Sequence, residues 1–94
     1  MAAYLFIQGT VTDKTHYKAY QEAVKPLISR FGGRFLAGGA GLEVLEGSYD
    51  GRRLVVFEFS TMERLKAFWN APEYIDVKRL RAGAAELDIW AVQG

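Results

Sequence analysis

The first apolar run, Ala3 to Val11, sets Tyr4, Phe6, Gln8 and Thr10 against Leu5, Ile7 and Val11, a period of two that predicts a β-strand. The period then lengthens. Tyr17, Tyr20, Val24, Leu27, Ile28 and Phe31 recur at helical spacing, lining one side of a helix that Thr12 or Asp13 can cap. Pro26 lacks the amide hydrogen that would bond to Glu22, so a kink is expected there, and Gly32-Gly33 supplies a left-handed stop. A second strand is expected from Arg34, interrupted at residues 37–41 by Ala-Gly-Gly-Ala-Gly and resuming toward Gly47.

The centre of the chain, Glu43 to Phe59, predicts a hairpin. Asp50-Gly51 tolerates the positive φ values that a two-residue turn demands, so Tyr49 would pair with Arg52. Alternation then puts Val44, Glu46, Ser48, Arg53, Val55, Phe57 and Phe59 on one side. Glu43, Leu45, Gly47, Tyr49, Arg52, Leu54, Val56 and Glu58 fall on the other. Both sides of the Arg53–Phe59 segment are largely apolar, so each needs a cover.

Ser60-Thr-Met-Glu63 has the form of a capping box opening a second helix, which buries Leu65, Phe68 and Trp69. It should break near Asn70-Ala71 and restart at Pro72, a residue favoured in a first helical turn, with Tyr74, Val77, Leu80 and Ala84 continuing the stripe. Leu87 to Gln93 is a final strand.

The element order β-α-β-β-α-β, with short connections and right-handed crossovers, favours an α+β ferredoxin-like sandwich. Its antiparallel sheet would have order 4-1-3-2, with both helices on one face. The other face would expose Leu45, Leu54, Val56 and either Tyr4 with Phe6 or Leu5 with Ile7, too large an apolar patch to leave wet. The same face of a second copy is the simplest cover, so a homodimer with face-to-face sheets, a dimeric α+β barrel, is expected.

Ninety-four residues make one domain, 1–94, and half of them are hydrophobic, which excludes a disordered segment. A net charge of +1 gives no strong pull toward nucleic acid or an anionic membrane. With no cysteine there is no disulfide framework, thiolate nucleophile or cysteine-based metal site. The N-terminal Met-Ala-Ala-Tyr-Leu-Phe-Ile-Gln has no basic lead-in, and no window approaches the roughly 20 apolar residues of a membrane span, so a soluble cytoplasmic protein is expected.

Several motifs together resemble one family along nearly the whole chain. They are Tyr17-x-x-Tyr20, Gly-Gly-Arg-Phe-Leu at 32–36, Gly38-Gly39, Glu43-Val-Leu-Glu-Gly47, Val55-Val-Phe-Glu-Phe59 and Trp69-Asn-Ala-Pro-Glu-Tyr74. The chain is similar to the family catalogued as domain of unknown function thirteen-thirty, within the dimeric α+β-barrel superfamily. That superfamily includes cofactor-free monooxygenases, muconolactone isomerases and haem-dependent enzymes. The resemblance implies the fold and the dimer but no agreed activity. Ala71 departs from the small polar cap usual before Pro-Glu-Tyr, and Trp69 from a tyrosine.

Among candidate chemical groups, Glu58 interrupts an apolar strand. The expected hairpin sets Glu43 opposite it, and two close carboxylates would raise one pKa and suit acid–base work. The plainer reading is an ion pair with Arg34 that pins the dimer. His16, the only histidine, lies in the first helical turn, where the dipole disfavours imidazolium; it is a neutral base, a metal ligand that would need a carboxylate partner such as Asp13, or an exposed helix residue. Tyr17, Tyr20, Phe35, Phe57, Phe68, Trp69 and Tyr74 form either a packed aromatic core or an apolar pocket whose polar rims are tyrosine hydroxyls and Asn70.

Gly39-Ala-Gly41 lacks the third glycine of a dinucleotide loop, since Val44 stands there, and no lysine-serine pair follows, so phosphate-loop chemistry is rejected. Leu54 and Val56 replace the stacking aromatics of RNA-recognition modules, which argues against nucleic acid. No metal motif or cofactor is expected. The residues thus favour a small-molecule-binding homodimer, either a cofactor-independent enzyme of oxygenase or isomerase type or a non-catalytic dimer that binds a metabolite or another protein. Glu58, Arg34 and His16 are the candidate catalytic set.

Overall fold

The computed structural model describes residues 1–39 and 41–94. Its elements are β1 (Ala3–Val11), α1 (Lys14–Arg30), β2 (Arg34–Gly38), β3 (Arg53–Phe59), α2 (Met62–Trp69), α3 (Pro72–Lys78), a 3-10 turn (Arg79–Arg81) and β4 (Ala85–Gln93). The strands form one antiparallel sheet in the order β2-β3-β1-β4, the ferredoxin-like arrangement.

Local chemistry sets most boundaries. Asp13 caps α1 by accepting the His16 amide at 3.2 Å. At the other end Gly33 donates to the Ile28 carbonyl and Gly32 to that of Ser29, the double bond of a Schellman stop, with Gly32 at φ +83°. The second helix starts one residue later than the capping box implies. Thr61, rather than Ser60, accepts the Arg64 amide at 3.1 Å, which leaves Glu63 in the first turn as a favourable charge at the helix N-terminus. The break at Asn70-Ala71 and the restart at Pro72 stand where expected, and Ala71 gives α3 no side-chain cap.

The two-residue hairpin does not form. β2 ends at Gly38 and β3 begins at Arg53, and residues 41–52 pair with no strand; Ala40, inside the glycine-rich interruption, lies outside the described residues. Asp50 accepts both the backbone amide of Arg52 (3.0 Å) and its Nε (2.9 Å). The same guanidinium reaches Asp88 on β4 (2.6 Å) and Gln8 on β1 (3.0 Å). Arg52 is therefore held toward β1 and β4 rather than facing Tyr49 across a ladder. The pairing changes with it: a bulge between Phe35 and Ala37 sets Arg34, not Glu43, opposite Glu58.

The alternation within β1 and β3 holds. Ala3, Leu5 and Phe59 are buried beneath the helices with Val24, Leu27 and Ile28 of α1, Leu65 and Phe68 of α2, and Tyr74 of α3. Phe68 stacks on Phe59 at 5.7 Å between ring centroids and on Tyr74 at 4.6 Å. On the opposite face the register makes cross-strand rows: Arg34–Glu58–Tyr4–Val92, Val56–Phe6–Trp90 and Leu54–Gln8–Asp88. Tyr4 and Phe6, not Leu5 and Ile7, thus join Leu54 and Val56 there. Trp90 and Val92 widen the patch and are about half exposed (48% and 47%). Leu45, expected on this face, instead projects from the 41–52 segment, 93% exposed.

Candidate functional site

α1 packs against α3 and the 3-10 turn and leaves a gap to the sheet from β1 across β3 to β2. Between them lies a cavity of about 620 Å³. Val24 and Ile28 of α1 form one wall, and Ile7, Val55 and Phe57 form the sheet side. Phe35 of β2 meets Phe57 edge to face at 6.0 Å. Gly33, Gly38 and Gly39 line the β2 end.

Polar groups enter this apolar space at a few points. Tyr17 and Tyr20, stacked at 5.5 Å on adjacent turns of α1, are both buried in its wall. Burial pushes the Tyr17 hydroxyl's pKa upward, with the charges of Arg53 and Arg81 pulling partly back. Burial likewise pushes Tyr20 well above the usual phenol range, reinforced by Tyr74, whose hydroxyl lies 2.9 Å away. Both side chains are therefore neutral O–H donors at physiological pH. The Arg81 guanidinium sits 5.4 Å from the Tyr20 ring, with its Nε buried and unpartnered. Gln21, Lys25, Ser29, Arg34 and Arg53 complete the lining.

The structure divides the expected site residues among three places. Tyr17, Tyr20 and Phe57 share the cavity. Tyr74 touches it only through Tyr20 and otherwise belongs to the aromatic core, against Phe68 and Trp69. Trp69 lies under the Lys78 ammonium at 4.4 Å, and exposed Asn70 closes α2 through its backbone.

Glu58 points to the opposite face, ion-paired with Arg34 at 2.5 Å. The Glu43–Glu58 carboxylate pair does not form, because the bulged register sets Arg34 there instead. His16 is exposed on the first turn of α1, its Nδ1 2.6 Å from Asp13. Sequence reasoning missed Arg53, Lys25, Val24 and Ile28 as cavity residues. The signal for Arg53 was present: alternation had already set it beside Val55 and Phe57.

These features define the class of the protein as a ferredoxin-like α+β domain with an open pocket between one helix and the sheet. The chain belongs to the family described as domain of unknown function (DUF1330), which it matches over residues 2–94. No curated protein matches it significantly.

Among solved structures it is similar to a protein of unknown function from Rhodopseudomonas palustris, at 16% identity and TM-score 0.77, over 99% of this chain and 82% of that one. A dimeric ferredoxin-like protein of unknown function from Thermobifida fusca matches at 14% identity and TM-score 0.64, over 100% and 92%. SnoaB, a cofactor-independent oxygenase from Streptomyces nogalater, matches at 8% identity and TM-score 0.70, over 99% and 92%. At such identities the likeness shows the fold.

Proposed function

We propose that this protein is a small-molecule-binding homodimer that holds an apolar ligand between α1 and the β2–β3 side of the sheet. The observation that carries this reading is the cavity itself: about 620 Å³, mostly apolar, with Tyr17 and Tyr20 buried in its wall. Under α2 and α3, by contrast, Phe68 packs directly on Phe59 and Tyr74. The dimer would form through the Tyr4–Phe6–Val56–Trp90–Val92 face, in keeping with the dimeric relative from Thermobifida fusca. That pairing leaves the cavity, on the other side of the sheet, free.

Tyr17 and Tyr20 also support a second reading, a cofactor-independent oxygenase or isomerase, the former being the activity of SnoaB on the same fold. The protonated Tyr17 hydroxyl in an apolar wall can donate to an enolate or phenolate oxygen as charge develops there, beside Tyr20, whose own hydroxyl is bonded to Tyr74. Glu58 has no part in that chemistry from the far face. In the non-catalytic reading the Tyr17 hydroxyl orients a ligand that is only carried.

A thermal-shift screen of aromatic acids and polyketide-like compounds tests the binding, because a ligand that binds only the folded form raises the melting temperature. Compounds that raise it should lose the effect in Gln21→Trp, which puts an indole into the cavity from α1. Shifts that persist in a folded Gln21→Trp variant would place the ligand elsewhere.

A further inference from the structure

We infer that the cavity selects an organic anion, a flat apolar body carrying a carboxylate, and that Arg53 at its mouth receives the charge; this rests on the reading of the cavity as the ligand site. The charged residues that border the space are Lys25, Arg34 and Arg53, all of them cations, and the Arg34 side chain turns to the far face of the sheet. The chain as a whole carries only +1, so the one-signed lining is a local arrangement rather than a reflection of overall charge. Arg34 is already neutralised by Glu58. Among the described residues, neither Arg53 nor Lys25 takes part in an ion pair, whereas Arg30, Arg34, Arg52 and Arg79 all do.

Position matters as much as charge. Arg53 opens β3 on the face of Val55 and Phe57, borders both the main cavity and the small space beside Gly9 and Leu87, and meets Tyr17 in each. A planar guanidinium matches a carboxylate with two parallel hydrogen bonds, which a lysine ammonium cannot do. An acid entering with its ring between Phe35–Phe57 and the Val24–Ile28 wall would leave its carboxylate at the exposed end, beside Arg53 and Tyr17. A neutral ligand of the same shape would fill the apolar part but leave the cations without a partner.

The probes are 2-naphthoate and its neutral counterpart 2-naphthamide, titrated calorimetrically into the purified full chain. The acid should bind at least about tenfold tighter than the amide, the range expected for one charge-assisted bidentate contact. Arg53→Gln should erase most of that difference while leaving amide affinity within about twofold. Arg53→Lys should restore only part, since it returns the charge without the fork.

Ser29→Trp, which obstructs the cavity from the exposed edge of α1, separates the two ideas. If both probes bind, both are lost in Ser29→Trp, and the amide equals the acid, the cavity is a ligand site and the anion inference falls. If either probe binds undiminished in Ser29→Trp, or neither binds the wild type, the cavity reading fails and this inference with it.

Discussion

The hydroxyls of Tyr20 and Tyr74 lie 2.9 Å apart in the buried core and join α1 to α3 across 54 positions of chain. One of these residues also lines the cavity, so the bond couples the ligand space to the helix that closes the core. Removing one hydroxyl leaves the other buried without its partner. Tyr74→Phe should therefore destabilise the chain by about 1–2 kcal/mol, and the Tyr20→Phe/Tyr74→Phe double variant by less than the sum of the two single changes. Urea unfolding of the four proteins measures this. Additive effects would mean that the hydroxyls do not share a bond in solution.

The same burial makes stability fall in alkali. Tyr17 and Tyr20 hold their protons in the folded state beyond the pH at which an unfolded tyrosine, with a pKa of about 10, releases them. Above that pH the unfolded chain binds fewer protons than the native one, so the stabilisation present below pH 10 is lost as pH rises toward the folded-state values. Unfolding free energy should decline above about pH 10. The decline should be shallower in Tyr17→Phe and Tyr20→Phe, as chemical denaturation between pH 8 and about pH 11 would show. Equal slopes in all three proteins would contradict the burial.

Gly33 is held to glycine by space. A Cβ there would stand 2.6 Å from the Phe59 ring and 2.7 Å from the Ile28 side chain, both in the core. Gly33→Ala should cost about 1–3 kcal/mol through overpacking, and the melting temperature should drop accordingly. Gly41, whose Cβ would meet nothing within 4 Å, is the control: Gly41→Ala should stay within about 0.5 kcal/mol of the wild type.

Trp90 stands beside Phe6 in the middle row of the face that the helices leave bare. A charge at that position would enter the proposed interface twice, once from each copy. Trp90→Glu should weaken the dimer by roughly a hundredfold or more and shift sedimentation at micromolar concentration toward the mass of one chain. A wild-type protein that already sediments as one chain would refute the interface.

Glu58 and the cavity lie on opposite sides of the sheet. Glu58→Gln should therefore leave 2-naphthoate affinity unchanged, while costing the chain about 0.2–1 kcal/mol from a pair whose arginine is largely exposed. A large loss of binding would return Glu58 to the site.

Local rules read much of this chain correctly because its helix ends and strand faces depend on neighbours in sequence. Asp13, Gly32 and Pro72 act within their own turns, and the alternation of Val55, Phe57 and Phe59 against Leu54, Val56 and Glu58 needs only a strand. The hairpin failed for the opposite reason. Asp-Gly supplied a turn signal, but Arg52 bonds to Asp88 and Gln8, 36 and 44 positions away, and no short-range rule weighs those bonds. The Glu43–Glu58 pair was lost with the register.

By itself, then, the sequence determined the element order, the helix ends and the two-faced sheet, since periodicity and capping act over a few residues. Only the tertiary structure decided where the space lies and which side chains meet there. A cavity is what remains after distant elements have packed, and here α1 leaves its gap beside β2, under Tyr17 and Tyr20 and facing Arg53. The aromatic stripe of α1 promised a wall; whether that wall would meet the sheet or an opening depended on contacts far along the chain.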